Sequence, residues 1–449
     1  MTDLPRQLPA EHPQRRRLAN EVHARPPVAI PCPGAAACVA LWRPDGAQDD
    51  LAPLRDLAQR HGVALAAQNA AHLVVDLPGV RIKWERHSEF TSYTFFTPLD
   101  RASGGPLAWP PSAFAALPPG WLAELPGRTL AAVDVVLLPQ PDGAESLEQV
   151  TRMFGGPTLV GSRVAGGTAQ VYTDFELSAD GRERWLVLDA GMTRGQQARV
   201  VQRLTEIAIY RVTSLLAFPL ARELGPALSA AEARLAASTA RIAELGRATL
   251  SPLEVQREDR RLLDELSQIA AEIERSVGAT AYRFSAARAY WDIDNNRVAE
   301  LREERIGGVA TIGEFLGRRL APAINTVLAT ARRQHDLAER VARASDLLRT
   351  RVDVAREEQN QQILAAMDRR GKVSLRMQQT VEGLSVAAIT YYAVGLVGYL
   401  AKGLKHVWQV LEPDWVTAAA VPLLALLIWR LAHRVRAELM RDSEGSGSP

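Results

Sequence analysis

Two uncharged runs in the last 70 residues constrain the fold of this 449-residue chain more than any other feature. The first, Gly383 to Ala401, carries no charge over 19 residues. As a helix rising 1.5 Å per residue it spans about 28 Å, close to the ~30 Å hydrocarbon core of a bilayer. The second, Trp415 to Trp429, extends to Ala432 if Arg430 snorkels. Trp408, Trp415 and Trp429 fall where an aromatic belt would put them. The segment between the runs is too short for a domain. The expectation is a transmembrane hairpin over 383–439, with spans at 383–401 and 415–432 and a disordered tail at 440–449.

Flanking charge orients the hairpin. Arg369, Arg370, Lys372 and Arg376 precede it, and Arg430, Arg434 and Arg436 follow. The loop holds Lys402 and Lys405 with Glu412 and Asp414. The excess of flanking positives places both chain ends in the cytoplasm. Two further features agree. The first 30 residues contain no apolar signal core, and Cys32 and Cys38 have neither zinc nor redox spacing. With 53 basic and 51 acidic residues the net charge is +2, which gives no global argument for a nucleic-acid partner. Only Lys83, Lys372, Lys402 and Lys405 are lysines, so arginine clusters weigh less than usual. Arg6 and Arg15–Arg17 therefore read as a solvated tail.

Residues 1–192 read as a cytoplasmic α+β head. Apolar runs of strand length lie at Ala36–Trp42, His72–Leu77, Val80–Trp84, Phe90–Phe96, Leu130–Leu138, Gln170–Leu177 and Arg184–Leu188. Pro78-Gly79 signals a hairpin turn. Leu51–His61 and Ser146–Phe154 read as helices, and Pro98–Pro126 as an irregular excursion. The glycines of Gly155-Gly156, Gly161 and Gly166-Gly167 precede a strand pattern, so turns are expected there rather than a phosphate cradle.

From Thr193 the pattern turns helical, giving a stalk region over 193–382. Four capping boxes punctuate it: Thr193/Gln196, Ser229/Glu232, Ser251/Glu254 and Thr311/Glu314. With breaks at Gly225-Pro226 and Gly307-Gly308, the expected helices are 194–224, bent near Pro219, then 230–248, 252–306 and 312–402. Leu262, Leu266, Ile269, Ile273 and Val277 form one narrow apolar seam. Leu337, Val341, Ala344, Leu348, Val352 and Ala355 form another. Seams of this spacing suit a coiled coil, and hence a homo-oligomer.

Several stretches resemble a bacterial family of uncharacterised membrane-anchored proteins, a domain of unknown function. They are Asn20-Glu-Val-His-Ala-Arg-Pro26, Trp84-Glu-Arg-His-Ser-Glu-Phe-Thr-Ser-Tyr93, Gly161-Ser-Arg-Val-Ala-Gly-Gly167, Leu347-Leu-Arg-Thr-Arg-Val-Asp-Val-Ala355 and Thr380-Val-Glu-Gly-Leu-Ser-Val386. The resemblance covers nearly the whole chain and implies a membrane anchor without an assigned activity. The plan of head, stalk and two late spans is also similar to CorA-type magnesium channels. Their Gly-Met-Asn tripeptide is absent, since the matching place reads Gly398-Tyr-Leu-Ala-Lys-Gly403.

Two sets of residues are candidates for function. In the hairpin, Thr390, Tyr391 and Tyr392 are polar at mid-span, and polar groups in hydrocarbon usually face protein or a water path. Glu412 and Asp414 would ring the outer mouth of an oligomeric pore, and Arg430 and Arg434 the inner one. In the head, Glu21, His23, Arg25, Glu85, Arg86, His87 and Glu89 mix imidazole with carboxylates. That mixture suits a ligand site or a divalent cation. No nucleophile elbow, H-E-x-x-H or P-loop lysine occurs, so an enzyme is not expected, nor a cofactor. The partners expected are the lipid bilayer and further copies of the chain. The fold class is thus an α+β head, a long helical stalk and a C-terminal two-helix hairpin. Cation transport is the first functional expectation, and a membrane-anchored scaffold or ligand sensor is the alternative.

Overall fold

The computed structural model describes residues 11–22, 26–43, 49–65, 71–100, 109–140, 147–156, 158–247, 250–404 and 413–445. The chain divides into two compact units, Met1–Ser345 and Asp346–Pro449.

In the first unit the chain runs α1 (Arg15–Val22), β1 (Gly34–Trp42), α2 (Ala52–Arg60), β2 (His72–Leu77), β3 (Val80–Arg86) and β4 (Phe90–Pro98). Two 3-10 turns, Ala113–Ala116 and Trp121–Glu124, precede β5 (Arg128–Pro139) and α3 (Leu147–Phe154). Then come β6 (Val160–Val164), β7 (Ala169–Leu177) and β8 (Glu183–Asp189). The helices α4 (Arg194–Leu215), α5 (Phe218–Leu245) and α6 (Pro252–Leu301) follow. A two-residue strand, β9 (Glu304–Arg305), leads into α7 (Ile312–Leu404).

The strands form one nine-stranded sheet in the order β2-β3-β4-β1-β5-β8-β7-β6-β9. Only β5–β8 is parallel; the other pairs are antiparallel. A parallel pair needs a crossover, and α3 with the β6–β7 hairpin supplies it. Helices cover both faces. On one, Val133, Val135, Trp185 and Val187 pack against Val200, Leu204 and Ile207 of α4 and Leu316 and Leu320 of α7. On the other, Leu54 and Leu57 of α2 and Trp121 close over Ile82, Trp84 and Tyr93. Val150 and Met153 of α3 cover Leu186 and Leu188. Being central, β1 is buried on both faces, which suits its run of small residues, Ala35, Ala36, Ala37, Cys38 and Ala40. Each fully buried large side chain, such as Trp84, Trp185 or Phe95, is worth roughly 1.5–3 kcal/mol.

Three of the four expected capping boxes form. Thr193 Oγ1 accepts from Gln196 N at 3.3 Å, Ser251 Oγ from Glu254 N at 3.4 Å and Thr311 Oγ1 from Glu314 N at 3.1 Å. The fourth does not. α5 runs straight through Gly225-Pro226, and Ser229 Oγ donates back to Gly225 O at 3.1 Å inside the helix. The break falls instead between Leu215 and Phe218. The next helix is also shorter than expected, ending at Leu301 with Arg302 left-handed at φ 53°. That turn frees Glu304 and Arg305 to join the sheet beside β6.

The expected stalk boundary at 193 lies inside the first compact unit, because α4 to α6 pack with the sheet and with each other. Arg234 of α5 reaches Glu265 at 2.6 Å and Glu272 at 2.7 Å on α6. Arg333 of α7 donates to Glu232 at 2.6 Å, and Gln334 to Ser276 at 3.0 Å. Leu262, Leu266, Ile269 and Ile273, and likewise Leu337, Val341 and Ala344, are buried within this single chain. Those positions are filled without a second copy, whereas Val277 and Val352 are half-buried and Ala355 is exposed.

The second unit holds the remainder of α7 and α8 (Pro413–Gly445). Helix continues to Gly445, beyond the expected start of a disordered tail at 440. Two segments long and apolar enough to cross a membrane lie in Ala321–Gly403 and Asp414–Arg434, with mean hydropathy 1.6 and 1.8. A third, Arg194–Leu245, meets the same criterion but is largely packed inside the first unit.

Candidate functional site

The head candidates do not form one cluster; they go to different places. Alternation along β3 sends Ile82, Trp84 and Arg86 to one face and Lys83 and Glu85 to the other. Arg86 donates from Nε to both oxygens of buried Asp50 at 3.1 Å. Arg43 adds a second cation there at 3.0 Å. Glu89 pairs with Arg283 of α6. Glu21 lies in α1, while His23 and Arg25 fall outside the described residues.

Glu85 and His87 do meet, in a polar seam between the sheet and α4. Lys83 is buried with Nζ 3.0 Å from Glu85 Oε1. The His87 ring stacks on Phe90 at 4.3 Å. From β4 come Ser92 and Thr94, and Thr94 Oγ1 donates to Cys38 Sγ at 3.3 Å. α4 lays Gln202, Thr205, Glu206 and Tyr210 over them. Gln202 Nε2 donates to Glu206 Oε1 at 2.7 Å, and Glu206 also accepts from Arg297 of α6. These groups enclose about 30 Å³. That is the room one water needs, not a substrate. Burial pushes the Cys38 thiol up to about 12, opposed by the Thr94 hydrogen bond. Among the described residues no three His, Cys, Asp or Glu side chains are arranged to hold a metal ion.

A second buried cluster escaped sequence reading. Glu183 on β8 accepts from Trp185 Nε1 at 2.8 Å and from the Arg211 guanidinium on α4. Arg211 also lies 4.9 Å above the Phe175 ring. The same guanidinium acts on Asp294 of α6, which is fully buried and has no hydrogen-bond partner on either oxygen. Burial raises both carboxyls, Asp294 to about 7. The only available signal was an aspartate on the apolar face of a long helix, which sequence alone cannot connect to an arginine 83 positions earlier.

In the second unit Thr390 Oγ1 donates to Val386 O at 2.7 Å, and Ser385 Oγ to Val381 O at 2.9 Å. Tyr391 and Tyr392 are exposed, their rings edge to face at 5.8 Å. α7 and α8 come close at Gly398, where an added Cβ would lie 3.4 Å from Thr417 Oγ1. Tyr391, Tyr392, Tyr399, Lys402, Asp414 and Thr417 line an open groove there of about 740 Å³. Arg430 and Arg434 are exposed on α8, and Glu412 falls outside the described residues.

A mixed sheet layered with helices on both faces, joined in one chain to helices apolar enough to cross a membrane, defines a mixed α/β protein of membrane-compatible composition. The chain belongs to the family described as a protein of unknown function, DUF3422, whose model matches residues 10–439. That agrees with the resemblance carried by the motifs at Trp84 and Gly161. No curated protein matches the chain.

Proposed function

We propose that the protein is a membrane-anchored scaffold or sensor of the bacterial inner membrane. Its two apolar helices serve as the anchor, both chain ends are cytoplasmic, and the α/β head is the working part. The observation that carries this reading is the Thr390 hydroxyl, spent on its own helix at Val386 O. The mid-span hydroxyl expected to mark a water path is thus satisfied without one. The burial of Leu262, Leu266, Ile269, Ile273, Leu337, Val341 and Ala344 within one chain points the same way, because these parts of the seams need no second copy.

A second reading, cation conduction by a homo-oligomer, draws on one observation: Tyr391, Tyr392 and Asp414 share a groove. Reconstitution into liposomes separates the two. On the anchor reading, Mg²⁺ or K⁺ flux matches that of empty liposomes, and Thr390→Val leaves expression and thermal stability unchanged. Flux well above empty liposomes that drops in Asp414→Ala establishes conduction instead.

A further inference from the structure

Arg211 of α4 is bonded to buried Glu183 of β8 and is also the cation that acts on buried Asp294 of α6. Glu183 is 3% exposed and Asp294 0%. Two full negative charges beside one guanidinium would leave an uncompensated charge in a dry interior, so one carboxyl holds a proton. Hydrogen bonds decide which. Glu183 accepts from both Trp185 and Arg211, and such bonds favour the ionised form. Asp294 accepts none among the described residues.

We propose that this triad is a proton-binding site, with the proton on Asp294, and that its loss loosens the packing of α6 on α4. Two other charged groups bear on the site. Asp174 of β7 acts on Glu183. On α6 itself, Arg297 is paired with Glu206 and Glu300. Once ionised, Asp294 must share the single positive charge of Arg211 with Glu183, and one buried negative charge stays uncompensated. The folded state therefore binds the proton more tightly than the unfolded chain does. Stability from this group is full below the ordinary aspartate value of 3.8 and is lost as pH rises to about 7.

The test uses the full-length protein in detergent. Asp294→Asn copies the protonated acid in shape and charge. Its Tm relative to the wild type should rise by several degrees between about pH 4, where the wild type keeps nearly all of this stability, and about pH 8.5, where it has lost it. Glu183→Gln frees Arg211 for Asp294, so the wild-type fall in Tm should move to lower pH. A direct reading needs no variant. Infrared difference spectra of protein with labelled aspartate should show a protonated carboxyl near about pH 6 that disappears on raising the pH. Asp294→Asn should remove that band. A Tm offset between wild type and Asp294→Asn that is the same at both pH values overturns the proposal. So does a protonated-aspartate band that is missing, or that survives in the variant.

Discussion

Arg283 on α6 places Nη1 and Nη2 at 2.6 and 3.0 Å from the two oxygens of Glu89, 194 positions earlier at the entry to β4. Both side chains are largely buried, and the guanidinium also sits 5.4 Å from the Trp42 ring. Removing one partner of a buried, two-point pair strands the other charge. Glu89→Ala or Arg283→Ala is expected to lower unfolding stability by about 3–5 kcal/mol. The double variant should lose less than the sum of the two. Denaturant unfolding of the four proteins measures this directly.

Glu303 docks on the start of α7. Its oxygens accept from Ile312 N at 2.8 Å and Gly313 N at 2.9 Å, and Ser162 Oγ donates to it as well. It thereby satisfies amides that the helix cannot. Glu303→Ala should cost about 1–3 kcal/mol. Amide exchange at 312–316 should speed up before exchange elsewhere in the helix does.

Gly161 on β6 has no room for a side chain. An added Cβ would lie 2.5 Å from Tyr172 Cδ1 and 3.0 Å from Val171 O. Gly161→Ala is expected to destabilise by about 1–3 kcal/mol. On a Tyr172→Ala background the same substitution should cost little, which a double-mutant cycle would show.

Both cysteines should be unreactive in the folded protein. Burial lifts Cys32 to about 11, with nearby Asp189 adding to the shift, and Cys38 to about 12. The thiolate is the reactive form, and its fraction at neutral pH is negligible for both. Native mass spectrometry after iodoacetamide at about pH 8 should find neither modified, and denaturation should expose both.

Alternation and capping boxes are local signals and made most strands and helix starts legible; β6 was missed, because Gly161, expected in a turn, lies inside that strand. Ser229 shows where local chemistry loses. Pro226 and a hydroxyl with the right spacing imitate a helix start, yet Ala221, Leu228, Ala231 and Leu235 are buried on one continuous face, and that packing outweighs the missing proline N–H. The seams show a second limit. A narrow apolar stripe specifies that a helix is met, not whether the partner is another copy or another part of the same chain. Of the head candidates, Glu85 and His87 were found together because they sit two positions apart, at the end of β3 and just beyond it. Glu206 and Asp294 were not found, since Arg297 and Arg211 lie on elements far from them in the chain. β9 has two residues and no pattern of its own.

That small strand sets an order of events. Residues 304–305 pair with β6, and Leu316, Leu320 and Ile324 of α7 complete the core beneath it. The head therefore cannot close until the ribosome has passed residue 324, and by then the first apolar run, at 383, is only 59 codons away. At synthesis speeds of about 5–20 residues per second, that leaves roughly 3–12 s. Closure of the first unit and synthesis of the first apolar run thus fall into the same few seconds of the protein's birth.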